Sequence, residues 1–224
     1  PGQMCAQGIL LALLERERSG QGQWVQVSLL ETLINLLDFQ AVRYLNEGEV
    51  PGQMGNDHAT RMPTSAYRTR DGYITICAAA DNMWRKLCRA IGRGDLIDHP
   101  DFHNQKGRSG NRARLNAELE EALRQRTSAE WVKVLNAAGV ACGPIYRIDE
   151  MFGDEQVRHL DLVRQVQHKE LGRIKVLAQP IRLSASAAVA KCAAPGRGEH
   201  SAEILKGLGF SDGEIESLRS KLVI

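Results

Sequence analysis

Residues Gly8 to Thr32, GILLALLERERSGQGQWVQVSLLET, constrain the fold more than any other stretch, because the hydrophobic period changes twice within them. Ile9, Leu10, Leu13 and Leu14 recur at helical spacing, and the polar run Glu15-Arg16-Glu17-Arg18 leads into Ser19-Gly20, a helix stop. After a Gly-Gln-Gly-Gln turn, Trp24, Val25 and Val27 read as a short strand, and Ser28 can cap a second helix carrying Leu29, Leu30, Leu33, Leu36 and Leu37. Helix, glycine turn, strand and helix in succession predict an α/β fold.

The second helix is expected to end near Asn46-Glu47-Gly48, and Gly48 to Pro63 follows without periodicity, as a linker or a functional loop. Tyr67 to Arg70 and Tyr73 to Ala78 flank Asp71-Gly72, a hairpin pattern that opens a new domain. Helices come next. One begins at Asp81, carries Met83, Trp84, Leu87, Cys88 and Ile91 and stops at Gly92; a short one from Asp95 to Gln105 is broken by Pro100. Asn111 to Arg126 is amphipathic through Leu115, Leu119, Ala122 and Leu123, and Thr127 with Glu130 forms a capping box ahead of Trp131, Val134 and Leu135. Val140 to Tyr146 reads as a strand, Ile148 to Val157 as a helix, and Arg164 to Leu183 as two strands meeting at Gly172. Ala185 to Gly198, rich in Ala, Gly and Pro, reads as a connector, Glu199 to Leu205 as a helix, and Ser211 with Glu214 as a second capping box.

Composition excludes several classes of partner. Twenty-nine basic residues against 27 acidic ones give a formal charge of +2, so no general field favours nucleic acid or a membrane surface. No apolar run approaches the roughly 20 residues that span a bilayer. The chain has 224 residues, 43% of them hydrophobic, enough to bury a core. Cys5, Cys77, Cys88, Cys142 and Cys192 show neither disulfide nor metal spacing and read as reduced thiols of a cytoplasmic protein. His99 and His103 lie on either side of Pro100, which prevents a continuous helix from presenting both to a metal, and no metal is expected. The Arg-rich run from Gly107 to Arg114 is consistent with a phosphate contact or, better, a solvated helix face; Glu199-His200 reads as helix capping rather than an acid/base pair.

The run from Gly8 to Thr32 also resembles the segment that follows the active-site carboxylate in class III CoA-transferases, which include formyl-CoA transferases, carnitine CoA-transferases and alpha-methylacyl-CoA racemases. The resemblance continues through Tyr67-Arg68-Thr69-Arg70-Asp71-Gly72-Tyr73-Ile74, Trp84-Arg85-Lys86-Leu87-Cys88, Glu130-Trp131, Ala138-Gly139-Val140, Gly143-Pro144-Ile145 and Gly198-Glu199-His200-Ser201. It implies a Rossmann-like large domain contributed by residues 1–47 and 199–224, linkers at 48–65 and 185–198, and a small α+β domain at 66–184. Two subunits are expected to interlock as a homodimer. The family's nucleophilic aspartate would lie upstream of Pro1, so the chain is expected to be the C-terminal part of a longer polypeptide and inactive alone.

The implied reaction moves CoA between carboxylic acids through an aspartyl acyl-anhydride, with an acyl-CoA and a carboxylic acid as substrates and no further cofactor. An acyl-CoA racemase of the same fold, using a His as acid and base, and a non-catalytic acyl-CoA-binding module remain as alternatives. Gly55, Asn56 and His58 fall where some family members place a glycine-rich loop near the acyl intermediate; the same stretch also reads as a solvated linker. Leu29 aligns with a position beside the CoA arm and otherwise reads as a core leucine.

Overall fold

The computed structural model describes residues 1–186 and 193–224 and divides them into two compact units, Pro1–Ile145 and Tyr146–Ile224. In the first unit, α1 (Gly2–Ser19) ends at Gly20, which adopts φ 73° and returns its N–H to the Arg16 carbonyl, with Arg16 and Arg18 in the last turn where the helix dipole favours them. The predicted strand at Trp24 to Val27 does not form. An extended segment needs a neighbouring ladder to satisfy its backbone, and none is present among the described residues. Trp24 is exposed, and Val25 instead lies back along α1 at Gly8, where an added Cβ would sit 2.7 Å from the Val25 Cγ1.

Ser28 caps α2 (Leu29–Asn35) as expected, its hydroxyl accepting from the Glu31 N–H at 3.1 Å. The single predicted helix breaks at Leu36 to Asp38, where Asp38 takes φ 48°, and resumes as α3 (Phe39–Glu47), which stops at Gly48. Neither α1 nor α3 buries a residue, and Leu29, Leu30, Leu33, Leu36 and Leu37 are all more than half exposed.

The core of this unit forms around an antiparallel sheet of order β1-β2-β3, built from β1 (Thr64–Arg68), β2 (Tyr73–Cys77) and β3 (Ala141–Pro144). Alternation turns Tyr67, Ile74 and Ile76 inward against Trp84, Leu87 and Cys88 of α4 (Asp81–Ala90). Leu115, Leu119 and Leu123 of α6 (Arg112–Leu123) and Trp131 and Leu135 of α7 (Ser128–Ala137) complete it, with α5 (Gln105–Gly110) preceding α6. The hairpin exists, but its connection is not the predicted two-residue turn. Arg68 pairs with Tyr73, leaving Thr69 to Gly72 as the loop. The Asp71 carboxylate accepts from the Ser128 N–H at 2.8 Å and so serves the start of α7. The Thr127–Glu130 capping box is present, and the Trp131 indole N–H donates to the Leu123 carbonyl at 2.6 Å.

In the second unit the expected single helix is split at Asp154, which caps the latter of α8 (Ile148–Gly153) and α9 (Glu155–His159). A hairpin of β4 (Val163–His168) and β5 (Gly172–Leu177) turns at Gly172 as predicted. The tail carries α10 (Ser201–Gly207) and α11 (Asp212–Ser220), the second opened by the predicted Ser211–Glu214 capping box. Glu199 does not cap α10. Its carboxylate accepts from the Gly196 N–H at 2.7 Å and closes the preceding turn, which holds it below the usual carboxylate range. Residues 187–192 of the predicted connector, Cys192 among them, lie outside the described residues. No helix among the described residues is long and apolar enough to cross a membrane.

Candidate functional site

The stretch before β1 lacks periodicity, and residues 48–56 are largely exposed, but from Asp57 to Met62 it is not a solvated linker, because side chains of α5 and α6 take up its carbonyls one after another. Arg112 donates to the Ala59 carbonyl at 3.0 Å and to the His58 carbonyl at 3.4 Å. Ser109 donates to the Thr60 carbonyl at 2.9 Å and Arg108 to the Met62 carbonyl at 3.0 Å. The Asp57 carboxylate receives both of its close contacts from the Asn116 Nδ2, at 3.1 Å each, with the Arg112 guanidinium 3.6 Å away. Irregular backbone packed against a protein surface must find such partners, and here helix side chains supply them.

Three of the four predicted site residues lie on this stretch, Gly55 and Asn56 exposed and His58 half-buried. Gly55 adopts φ 58°, a left-handed turn that favours glycine, and is followed by the exposed Asn56. The His58 Nδ1 accepts from the backbone N–H groups of Thr60 and Arg61, both at 3.2 Å. Its ring stacks on Phe39 of α3, with centroids 5.7 Å apart and planes 7° from parallel. Asn56 also borders an open depression of about 430 Å³ with Thr64, Ala66, Thr75, Cys77 and Gly143 of the sheet.

Leu29 is 69% exposed at the start of α2, so it is not a core leucine of this chain, and it does not line that depression. The structure thus brings Gly55, Asn56 and His58 together on one loop and leaves Leu29 on a separate apolar surface.

The reading of the Arg-rich run as a solvated face fails at Arg108, which is completely buried. It donates to the Phe102 carbonyl at 3.0 Å, to the Ala79 carbonyl at 2.8 Å and to Asp81 at 2.7 Å, and lies 5.3 Å from the Trp84 ring centroid. No pattern in the sequence distinguishes Arg108 from its exposed neighbours, since its partners are backbone carbonyls distant along the chain. Both imidazoles of the His99/His103 pair are engaged: the His99 Nδ1 accepts from the Asp101 N–H at 3.1 Å, and the His103 Nδ1 meets the Pro100 carbonyl at 2.8 Å. Behind the loop, burial together with the charges of Asp57 and Glu120 pushes the Tyr67 phenol well above its ordinary pKa. Burial alone raises the Cys142 thiol to about 11, and burial chiefly raises Cys88 to about 12, so neither is a thiolate nucleophile.

The sequence profile of CoA-transferase family III matches residues 1–201. A probable fatty acyl-CoA transferase of Mycobacterium tuberculosis is 35% identical over 215 residues, covering 91% of this chain and 54% of that protein. The succinyl-CoA:glutarate CoA-transferase of Mus musculus is 29% identical over 217 residues, covering 96% of this chain and 50% of that protein. The crystal structure of the Mycobacterium tuberculosis protein superposes with a TM-score of 0.76, covering 90% of this chain and 53% of that chain. That of a CaiB/BaiF family protein from Brucella suis gives 0.74 at 32% identity, covering 89% and 52%. The chain spans about half the length of the curated relatives it matches.

Proposed function

The chain belongs to CoA-transferase family III, and we propose that the complete protein moves CoA from an acyl-CoA donor to a carboxylic acid acceptor through an acyl-anhydride on an aspartate outside this chain. The observation that carries this reading is the family match over residues 1–201, joined by relatives named as succinyl-CoA transferases for glutarate, mesaconate and citramalate. In this reading Gly55, Asn56 and His58 face the acyl group, and α5 and α6 hold their loop ready, so little ordering entropy is spent when substrate arrives. Leu29 lies beside the CoA arm.

The division into a large domain (1–47 and 199–224) and a small one (66–184) belongs to the same reading, as does an interlocked homodimer in the cytoplasm. The exposed leucines of α2 and its C-terminal turn support assembly, since contiguous apolar patches of this kind are rare on soluble monomers.

The test incubates the complete protein with succinyl-CoA and a panel of mono- and dicarboxylic acids, and follows CoA esters by mass spectrometry. The expected result is an acceptor CoA ester formed mole for mole with free succinate. Exchange of the α-hydrogen without a new ester would support the racemase alternative. Binding of acyl-CoA without turnover would support the non-catalytic module.

A further inference from the structure

We infer that His58 is held as the neutral Nε2–H tautomer and that this N–H is the loop's hydrogen-bond donor to the acyl oxygen of the CoA substrate, an assignment whose second half rests on the transferase reading above. The backbone N–H groups of Thr60 and Arg61 converge on Nδ1 at 3.2 Å each. An imidazolium, or a ring protonated at Nδ1, would set an N–H against those two N–H donors, so the ring proton belongs on Nε2. Phe39 lies parallel to the imidazole with centroids 5.7 Å apart and restrains its plane. The His58 Nε2 has no protein partner among the described residues, whereas the His99 Nε2 lies 3.3 Å from the Arg114 guanidinium.

Closing a turn through Nδ1 is not special to His58, since His168 accepts from the Glu170 and Leu171 N–H groups in the same way. What separates His58 is the Phe39 clamp, together with a backbone tied at His58, Ala59 and Thr60 by Arg112 and Ser109. A donor fixed in this manner suits a developing oxyanion. As a carboxylate oxygen adds to the thioester carbonyl carbon, the C=O π pair moves onto oxygen, where the N–H stabilises it. Collapse re-forms C=O and expels the CoA thiolate, and no proton leaves His58. The same arrangement leaves neither ring nitrogen with a lone pair for abstracting an α-proton, which sets this role apart from that of a racemase base.

Two substitutions divide the ring's functions. In His58→Asn the side-chain oxygen reproduces the Nδ1 acceptor and loses the Nε2 donor; in His58→Gln the amide N–H reproduces the donor and loses the turn acceptor. In the complete protein labelled with 15N-histidine, the signal absent from His58→Asn is expected to show the neutral Nε2–H tautomer at neutral pH. His58→Asn is expected to keep the wild-type melting temperature and KM while kcat falls about a hundredfold, and His58→Gln to recover at least tenfold of that loss. An Nδ1–H or imidazolium spectrum overturns the tautomer assignment. A wild-type kcat in a folded His58→Asn reduces His58 to turn closure. If the wild-type protein transfers no CoA to any acid, the functional reading falls and takes the donor role with it, while the spectrum decides the tautomer independently.

Discussion

Arg108, fully buried, donates its Nε–H to the Met62 carbonyl at 3.0 Å and so joins α5 to the end of the loop that carries His58. The same guanidinium takes up the Phe102 and Ala79 carbonyls, with Asp81 at 2.7 Å. Replacing Arg108 by Met keeps the volume and strands those acceptors. Arg108→Met is therefore expected to destabilise the protein by about 3–5 kcal/mol in urea unfolding. A loss below about 1 kcal/mol would mean that water replaces the guanidinium freely.

Asn116 holds Asp57 through its Nδ2, at 3.1 Å from each carboxylate oxygen. Asn116→Ala removes that tether without touching His58. Amide exchange at Asp57 and His58, whose N–H groups are held by the Met54 and Thr64 carbonyls, is expected to quicken about tenfold, corresponding to about 1.4 kcal/mol, while α7 stays protected. Equal quickening in both places would show that the substitution loosens the whole unit rather than the loop.

The Asp71 carboxyl is held below its ordinary pKa, first by the Ser128 N–H and then by the Ser128 and Thr69 hydroxyls. A depressed folded-state pKa contributes stability that is present above the unfolded value of about 3.9 and is lost as pH falls through the lower folded one. Asp71→Asn is expected to flatten the decline of melting temperature below about pH 4 relative to wild type. An unchanged acid slope would remove Asp71 from the acid response.

The elements that could be read from the sequence were those whose cause is local. Ser28, Thr127 and Ser211 each met their own helix N–H groups, and Gly20, Gly48 and Gly172 stopped or turned the chain through their own φ. Trp24 to Val27 failed as a strand because pairing is a property of two segments, and the period of one does not supply the other. Asp71-Gly72 looked like a complete turn, but its carboxylate is drawn to Ser128, far along the chain. The candidate loop shows in the sequence only as an aperiodic stretch, and its attachment through Arg112, Asn116 and Arg108 leaves no trace in spacing or charge.

Gly8 makes room for Val25, whose Cγ1 would stand 2.7 Å from an added Cβ. Gly8→Ala is expected to cost about 1–2 kcal/mol despite the better helix propensity of alanine, and Val25→Ala in the same chain is expected to recover most of it. Additive effects in that double-mutant cycle would show that the contact carries no strain.

The most direct test of carboxylate-to-carboxylate CoA transfer follows oxygen. The complete protein is run through many turnovers with unlabelled succinyl-CoA and an acceptor acid carrying 18O in its carboxylate. Transfer through an enzyme acyl-anhydride moves one acceptor oxygen onto the enzyme carboxylate and then into the succinate released in the next cycle, so 18O-succinate is the predicted product. Succinate that takes its new oxygen only from solvent, with free CoA accumulating, would identify a hydrolase and contradict the account.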